Sequence, residues 1–179
     1  MFRLTTKRLI AVPTCMALLM LASGLHAAEA DTAAEIIKAT GVQGGLIVHL
    51  GCGDGKLTAA LHVNGRYQVH GLTRNSADVT AARANVASGG FYGDVSVDRL
   101  SGTRLPYIEN MANLVVAEDL GDVPMDELMR VLVPNGVAYI KSDAGWQKVV
   151  KPWPDDIDEW THYLHDAGGN AVAHDDVVG

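Results

Sequence analysis

Apolar runs alternate with helix-patterned stretches through the middle of the chain, and glycine or proline marks most of the junctions. Residues 32–40 carry apolar Ala33, Ala34, Ile36 and Ile37 ahead of Gly41, which predicts a short helix. "LIVHL" (46–50) is apolar, β-branched and bounded by glycines, the pattern of a buried strand. "KLTAALHV" then predicts a helix, "YQVHGL" a second strand, and "SADVTAARANVAS" a helix with Ser76 as its cap and Gly89-Gly90 as its stop. "VSVDRL" predicts a third strand, and "NLVVAED" a fourth with the near-continuous apolar run of a parallel strand buried on both faces. "MDELMRVL", entered at Pro124, predicts a helix. "VAYIK" predicts a fifth strand behind a turn at Pro134-Asn135-Gly136. This alternation predicts an α/β domain, a Rossmann-like parallel sheet with helices on both faces. In such sheets ligands bind at the carboxyl ends of the strands, and here the first strand-to-helix turn is "GCGDG".

The first 30 residues have a different character: basic "MFRLTTKR", an apolar run interrupted by Pro13, then small residues ending in Ala28-Glu29-Ala30. That order predicts a secretory signal peptide and an exported, periplasmic or secreted chain. The apolar run falls short of the ~20 residues a membrane span needs. Its removal would take away Arg3, Lys7, Arg8 and Cys15, leaving Cys52 as the one cysteine. The formal net charge of the whole chain is −7, and Pro152 to Gly179 holds no Lys or Arg. An acidic surface of this kind argues against nucleic acid and anionic membrane as partners. The sequence thus divides into a signal peptide (1–30), an α/β domain (31–143) and an acidic linker (144–179), the last expected to open a truncated downstream domain.

Two phosphate-binding patterns fail at the glycine turn. A Walker loop needs glycine where Leu50 stands and a hydroxyl where Leu57 stands. The dinucleotide fingerprint needs a third glycine where Lys56 stands, which removes an NAD-dependent oxidoreductase from contention. G-x-G-x-G after an apolar strand instead resembles the loop of class I S-adenosylmethionine-dependent methyltransferases. The resemblance extends through "VHGLTRNSADVTAARANV", "LPYIENMANLVVAED" and "LMRVLVPNGVAYI", in the family's order and spacing.

The resemblance implies a class I methyltransferase-like fold, here without its complete terminal hairpin unless "QKVVK" begins it. It implies S-adenosylmethionine as cofactor, lying over Gly51, Gly53 and Gly55, which lack the Cβ that would block close approach. Cys52 and Asp54 fall at variable positions of that loop, and Cys52 also suits the role of a small buried filler. His49 stands where the family often has an acidic residue, either as a ligand contact or as a packed histidine. The acidic residue that accepts the ribose hydroxyls at the end of the second strand is replaced by Thr73, followed by Arg74. Losing such a charge-assisted bond costs about 1.5–3 kcal/mol. A third acidic position, after the third strand, is replaced near Ser101-Gly102. Glu118 and Asp119, at the carboxyl end of the fourth strand, are the candidate catalytic residues, to orient or deprotonate an acceptor; solvated acids at a strand end are the competing reading.

His162, His165 and His174 raise a metal question, but no further ligands fall at zinc spacing, so no metal site is expected. "DIDEWTHYLHDAGGNAVAHDDVVG" resembles the segment that joins such a domain to a pyrroloquinoline-quinone-type β-propeller in exported bacterial proteins. Two functions remain open: a methyltransferase or S-adenosylmethionine-binding domain of unknown acceptor, and a degenerate, non-catalytic scaffold module of an exported propeller protein. Export favours the second, because the methyl donor is made in the cytosol.

Overall fold

The computed structural model describes residues 28–155, 163, 167–169 and 172. The apolar amino-terminal segment before residue 28 and His162, His165 and His174 lie outside the described residues. Helix α1 covers residues 28–40, so the small-residue stretch 28–30 is helical; it ends at Gly41, whose φ is 77°. Five strands follow in parallel: β1 (Gly45–Leu50), β2 (Tyr67–Thr73), β3 (Val95–Arg99), β4 (Ala112–Ala117) and β5 (Leu132–Ser142). Between them lie α2 (Lys56–Leu61), α3 (Ser76–Ser88) and α4 (Met125–Val131). With a sixth strand, β6 (Gly145–Val150), at the edge, the spatial order β3-β2-β1-β4-β5-β6 reverses direction between β1 and β4, where a ligand crevice belongs in an open α/β sheet.

Strand alternation divides the core into two layers. Ile47, Val69, Val97, Leu114 and Val116 face α1, α2 and α3, packing with Ile36, Leu61, Ala82 and Val86. Val48, Leu50, Leu72, Val115 and Ala117 face α4 and the loop before β4, packing with Leu105, Leu128 and Val131. That loop is clamped to α4. Glu127 Oε1 accepts from Leu105 N at 2.7 Å, and Arg130 Nη2 donates to Tyr107 O at 3.0 Å.

Three local expectations need correction. The α3 cap is Asn75, whose side chain accepts from Ala77 N; Ser76 is the first helical residue. Pro134-Asn135-Gly136 lies inside β5 as a bulge that shifts its register on β4, with Asn135 at φ 62°. The sheet also continues past Asp143: β6 (Gly145–Val150), within the stretch read as linker, runs antiparallel to β5. Trp146 stacks on Tyr139 with centroids 4.9 Å apart. Lys148 Nζ donates to Ala39 O and Thr40 O at 3.1 and 2.8 Å, capping the carboxyl end of α1. This is one strand of the terminal hairpin that "QKVVK" left open. Among the described residues, no helix is long and apolar enough to cross a membrane.

Candidate functional site

The glycine turn joins β1 to α2, and its three glycines meet different surroundings. A Cβ on Gly51 (φ 73°) would lie 2.8 Å from Asp119 N, so this glycine lets β1 and the end of β4 close together. A Cβ on Gly55 (φ 78°) would lie 2.7 Å from Ala82 Cβ, so this one seats α2 against α3. Gly53 (φ 48°) has nothing within 4 Å of its Cβ position. Gly51 and Gly55 thus make room for the protein itself, and the Cβ position of Gly53 is open.

Cys52 and His49 lie beneath the turn, not on its open side. Cys52 is buried in the core layer facing the first three helices, and burial pushes its thiol up to about 11. His49 is 0 % exposed, with Nδ1 2.8 Å from Thr58 Oγ1 and Nε2 3.5 Å from Glu118 Oε2. His49 Nδ1 and Thr58 Oγ1 share a hydrogen bond, and His49 Nε2 faces Glu118 on the other side of the ring. Asp54 turns toward the start of α2, where its Oδ1 accepts from Lys56 N and its backbone carbonyl accepts from Asn85 Nδ2. These three residues support the turn; they do not line the cleft.

A cavity of about 180 Å³ opens beside the turn, lined by Gly51, Thr73, Arg74, Asp78, Asp119 and Leu120 among others. Larger grooves exist, about 610 Å³ along α3 and β3 and about 320 Å³ beside α1, α2 and α3. The smaller cavity is the candidate site because it sits at the carboxyl ends of the strands at the topological switch and gathers convergent polar groups. Thr73 is 6 % exposed, with Oγ1 3.5 Å from Asp78 Oδ2. Arg74 reaches across the mouth: Nη1 donates to Gly102 O at 3.2 Å, and its guanidinium lies against Gly121. Asp119 Oδ1 accepts from Gly121 N at 2.9 Å.

Of the two candidate catalytic acids, Asp119 lines the cavity and Glu118 does not; Glu118 points toward the His49 side. Lys141 Nζ stands 3.7 Å from Glu118 Oε1. The contact with His49, outweighing burial and joined by the charge of Lys141, holds the Glu118 carboxyl below its ordinary range. At 3.5 Å the His49 contact is polar proximity and not a full hydrogen bond, and His49 Nε2 has no formed partner. The charge of Lys141 acts in the same direction as the His49 contact. A depressed carboxyl contributes stability above its unfolded value of 4.5 and loses it as pH falls through the folded value. Glu118→Gln is expected to lower stability at pH 7 by up to about 1 kcal/mol, discounted for solvent screening. It should also flatten the loss of melting temperature below pH 5. A variant that melts with the wild-type pH profile would remove Glu118 from this electrostatic role.

Sequence reasoning missed Asp78, Thr58 and Lys141. Asp78 had one signal, an acid in the first turn of the helix that follows the second strand. Ala82 is the small residue facing Gly55, and Arg83 wraps edge strand β3, donating to Val97 O at 2.8 Å and pairing with Asp98. Among the described residues, no group of three His, Cys, Asp or Glu is placed to hold a metal ion.

A family profile described as "Methyltransferase domain" matches residues 47–136. No curated protein matches the sequence. Among solved structures, a Methanococcus maripaludis protein assigned to the S-adenosyl-L-methionine-dependent methyltransferases superposes with a TM-score of 0.60 at 21% identity, covering 78% of this chain and 67% of that one. Geranyl diphosphate methyltransferase, in complex with SAM, superposes with a TM-score of 0.58 at 20% identity, covering 67% of this chain and 51% of that one. The [4+2]-cyclase SpnF superposes with a TM-score of 0.56 at 22% identity, covering 62% of this chain and 43% of that one. The chain thus spans about two thirds of the first structure and less than half of the last, and identities this low show the fold alone.

Proposed function

This chain belongs to the methyltransferase-domain family, and we propose that it binds S-adenosylmethionine at the carboxyl edge of its sheet and serves methyl transfer to an acceptor. The observation that carries the reading is a cavity at the carboxyl edge of the sheet, lined by Gly51 of the glycine turn and holding two carboxylates. The ligand is rich in hydrogen-bond donors and carries a sulfonium and an ammonium, so Asp78 and Asp119 are acceptors of the right kind and charge. The cavity is smaller than the roughly 300–1,000 Å³ of a full ligand pocket. It suits part of the molecule, with the remainder over the exposed side of the turn.

Bound there, S-adenosylmethionine supplies an electrophilic methyl group. The protein's part is alignment and electrostatics. Gly53 leaves the surface of the turn without a side chain, and Gly51 keeps the end of β1 against Asp119. Glu118, kept ionised by His49 and Lys141, is suited to hold the donor hydrogen of an acceptor in place more than to act as a strong base. The identity of that acceptor is left to whatever shapes the cleft above β4 and β5.

A second reading, a non-catalytic module that keeps the fold without the ligand, is supported by Thr73 and by Arg74 lying across the cleft mouth. Calorimetric titration of the full chain with S-adenosylmethionine and S-adenosylhomocysteine separates the two. The binding reading expects saturable heats with a dissociation constant of about 1 μM–1 mM, the common span for enzyme substrates. A folded chain that gives no saturable heat with either compound would leave the non-catalytic module as the reading.

A further inference from the structure

We propose that Asp78 is the carboxylate that accepts the hydrogen bonds of the ligand's ribose diol, a role that the side chain at the end of β2 cannot fill. This rests on the reading that an adenosyl ligand binds at the carboxyl edge of the sheet. A ribose presents two adjacent O–H donors, and a carboxylate presents two oxygens that accept both. The end of β2 carries Thr73, whose single hydroxyl offers one oxygen and no charge.

The cavity holds two carboxylates, Asp78 and Asp119. Asp119 Oδ1 closes its own turn by accepting from Gly121 N at 2.9 Å. Asp78 is held from one side only. Its Oδ1 accepts from Asn75 Nδ2 at 3.2 Å, while the Asn75 Oδ1 accepts from Ala77 N at 3.0 Å. The cap of α3 therefore fixes the Asp78 rotamer. Asp78 Oδ2 has the 3.5 Å contact with Thr73 Oγ1, longer than the roughly 2.5–3.0 Å of a formed O–H···O bond. Its capacity as an acceptor is left largely unused, and it faces the cavity beside the buried Thr73 hydroxyl. Arg74 does not neutralise it, because the guanidinium is turned toward Gly102 O and Gly121. The first turn of α3 thus presents, five residues further along, a carboxylate beside the position that lacks one.

The test compares S-adenosylhomocysteine with its 2′-deoxy analogue on the full chain by calorimetry. Wild type is expected to bind the deoxy analogue about tenfold more weakly or worse, the cost of a lost hydrogen bond to a charged group. Asp78→Asn is expected to weaken S-adenosylhomocysteine by a similar factor and to bring the two ligands within about twofold of each other. Asp119→Asn should keep the wild-type preference. A folded Asp78→Asn that still discriminates as wild type does would overturn the assignment while leaving adenosyl binding intact. A wild type that binds both ligands equally would overturn it without recourse to any variant. A wild type that binds neither overturns it together with the reading on which it rests.

Discussion

Gly55→Ala is expected to destabilise the fold by about 2–5 kcal/mol, even though the position reads as part of a ligand loop. Two costs combine. A non-glycine residue in the left-handed region costs about 1–2 kcal/mol, and Gly55 sits at φ 78°. Overpacking a filled site adds about 1–3 kcal/mol, and the new Cβ would lie 2.7 Å from Ala82 Cβ and 2.9 Å from its Cα. Neither atom is the end of a flexible side chain, so α2 and α3 must separate. Against a total stability of about 5–15 kcal/mol this is a large fraction. Urea unfolding followed by circular dichroism checks it. Gly65→Ala, where the Cβ position is open and φ is not left-handed, is the control expected to change little. A Gly55→Ala loss below about 1 kcal/mol would mean that the helix pair tolerates the extra carbon.

Gly53→Val should show the reverse division between stability and binding. The Cβ position has no neighbour within 4 Å, so the cost to the fold is the left-handed backbone alone, about 1–2 kcal/mol or somewhat more for a branched side chain. Binding of S-adenosylhomocysteine is expected to fall by about a hundredfold or more, because on the proposed reading the ligand lies over the turn and two methyl groups would stand in its place; that fold-change corresponds to about 2.7 kcal/mol. Titration beside the melting curve reads both quantities. A folded Gly53→Val that binds within a few-fold of wild type would place the ligand elsewhere than over this glycine.

These two glycines show what was legible in the sequence and what was not. The succession of strands and helices and the parallel sheet could be read, because buried parallel strands are apolar throughout and glycines punctuate their ends. "LIVHL" and "NLVVA" needed no structure to be read as buried strands. What each glycine faces could not be read, since a missing side chain carries no record of its neighbour: Asp119 for Gly51, Ala82 for Gly55, open space for Gly53. β6 was illegible for another reason. It is an edge strand whose residues are mostly exposed, with Trp146 and Val149 half-buried, so it lacks the apolar run that marks the inner strands. Asp78 looked like an ordinary first-turn acid, and only the proximity of α3 to the end of β2 brings it to Thr73. A carboxylate restored at position 73 would therefore stand against one already present, and like charges so close cannot both ionise freely.

Lys148 closes the end of a helix that was made 108 residues earlier. At the roughly 5–20 residues per second of protein synthesis, the carbonyls of Ala39 and Thr40 are without their ammonium partner for about 5–20 s. For a shorter interval, about 3–13 s at that rate, the inner edge of β1 waits for β4, which is paired to it through Ile47 and Leu114. Secondary structure forms in microseconds, but helices as short as α2 and α4 need their packing partners to persist, so the sheet closes only as its later strands emerge. The order of assembly is set by the rate of translation, and the final residues of the domain decide when it ends.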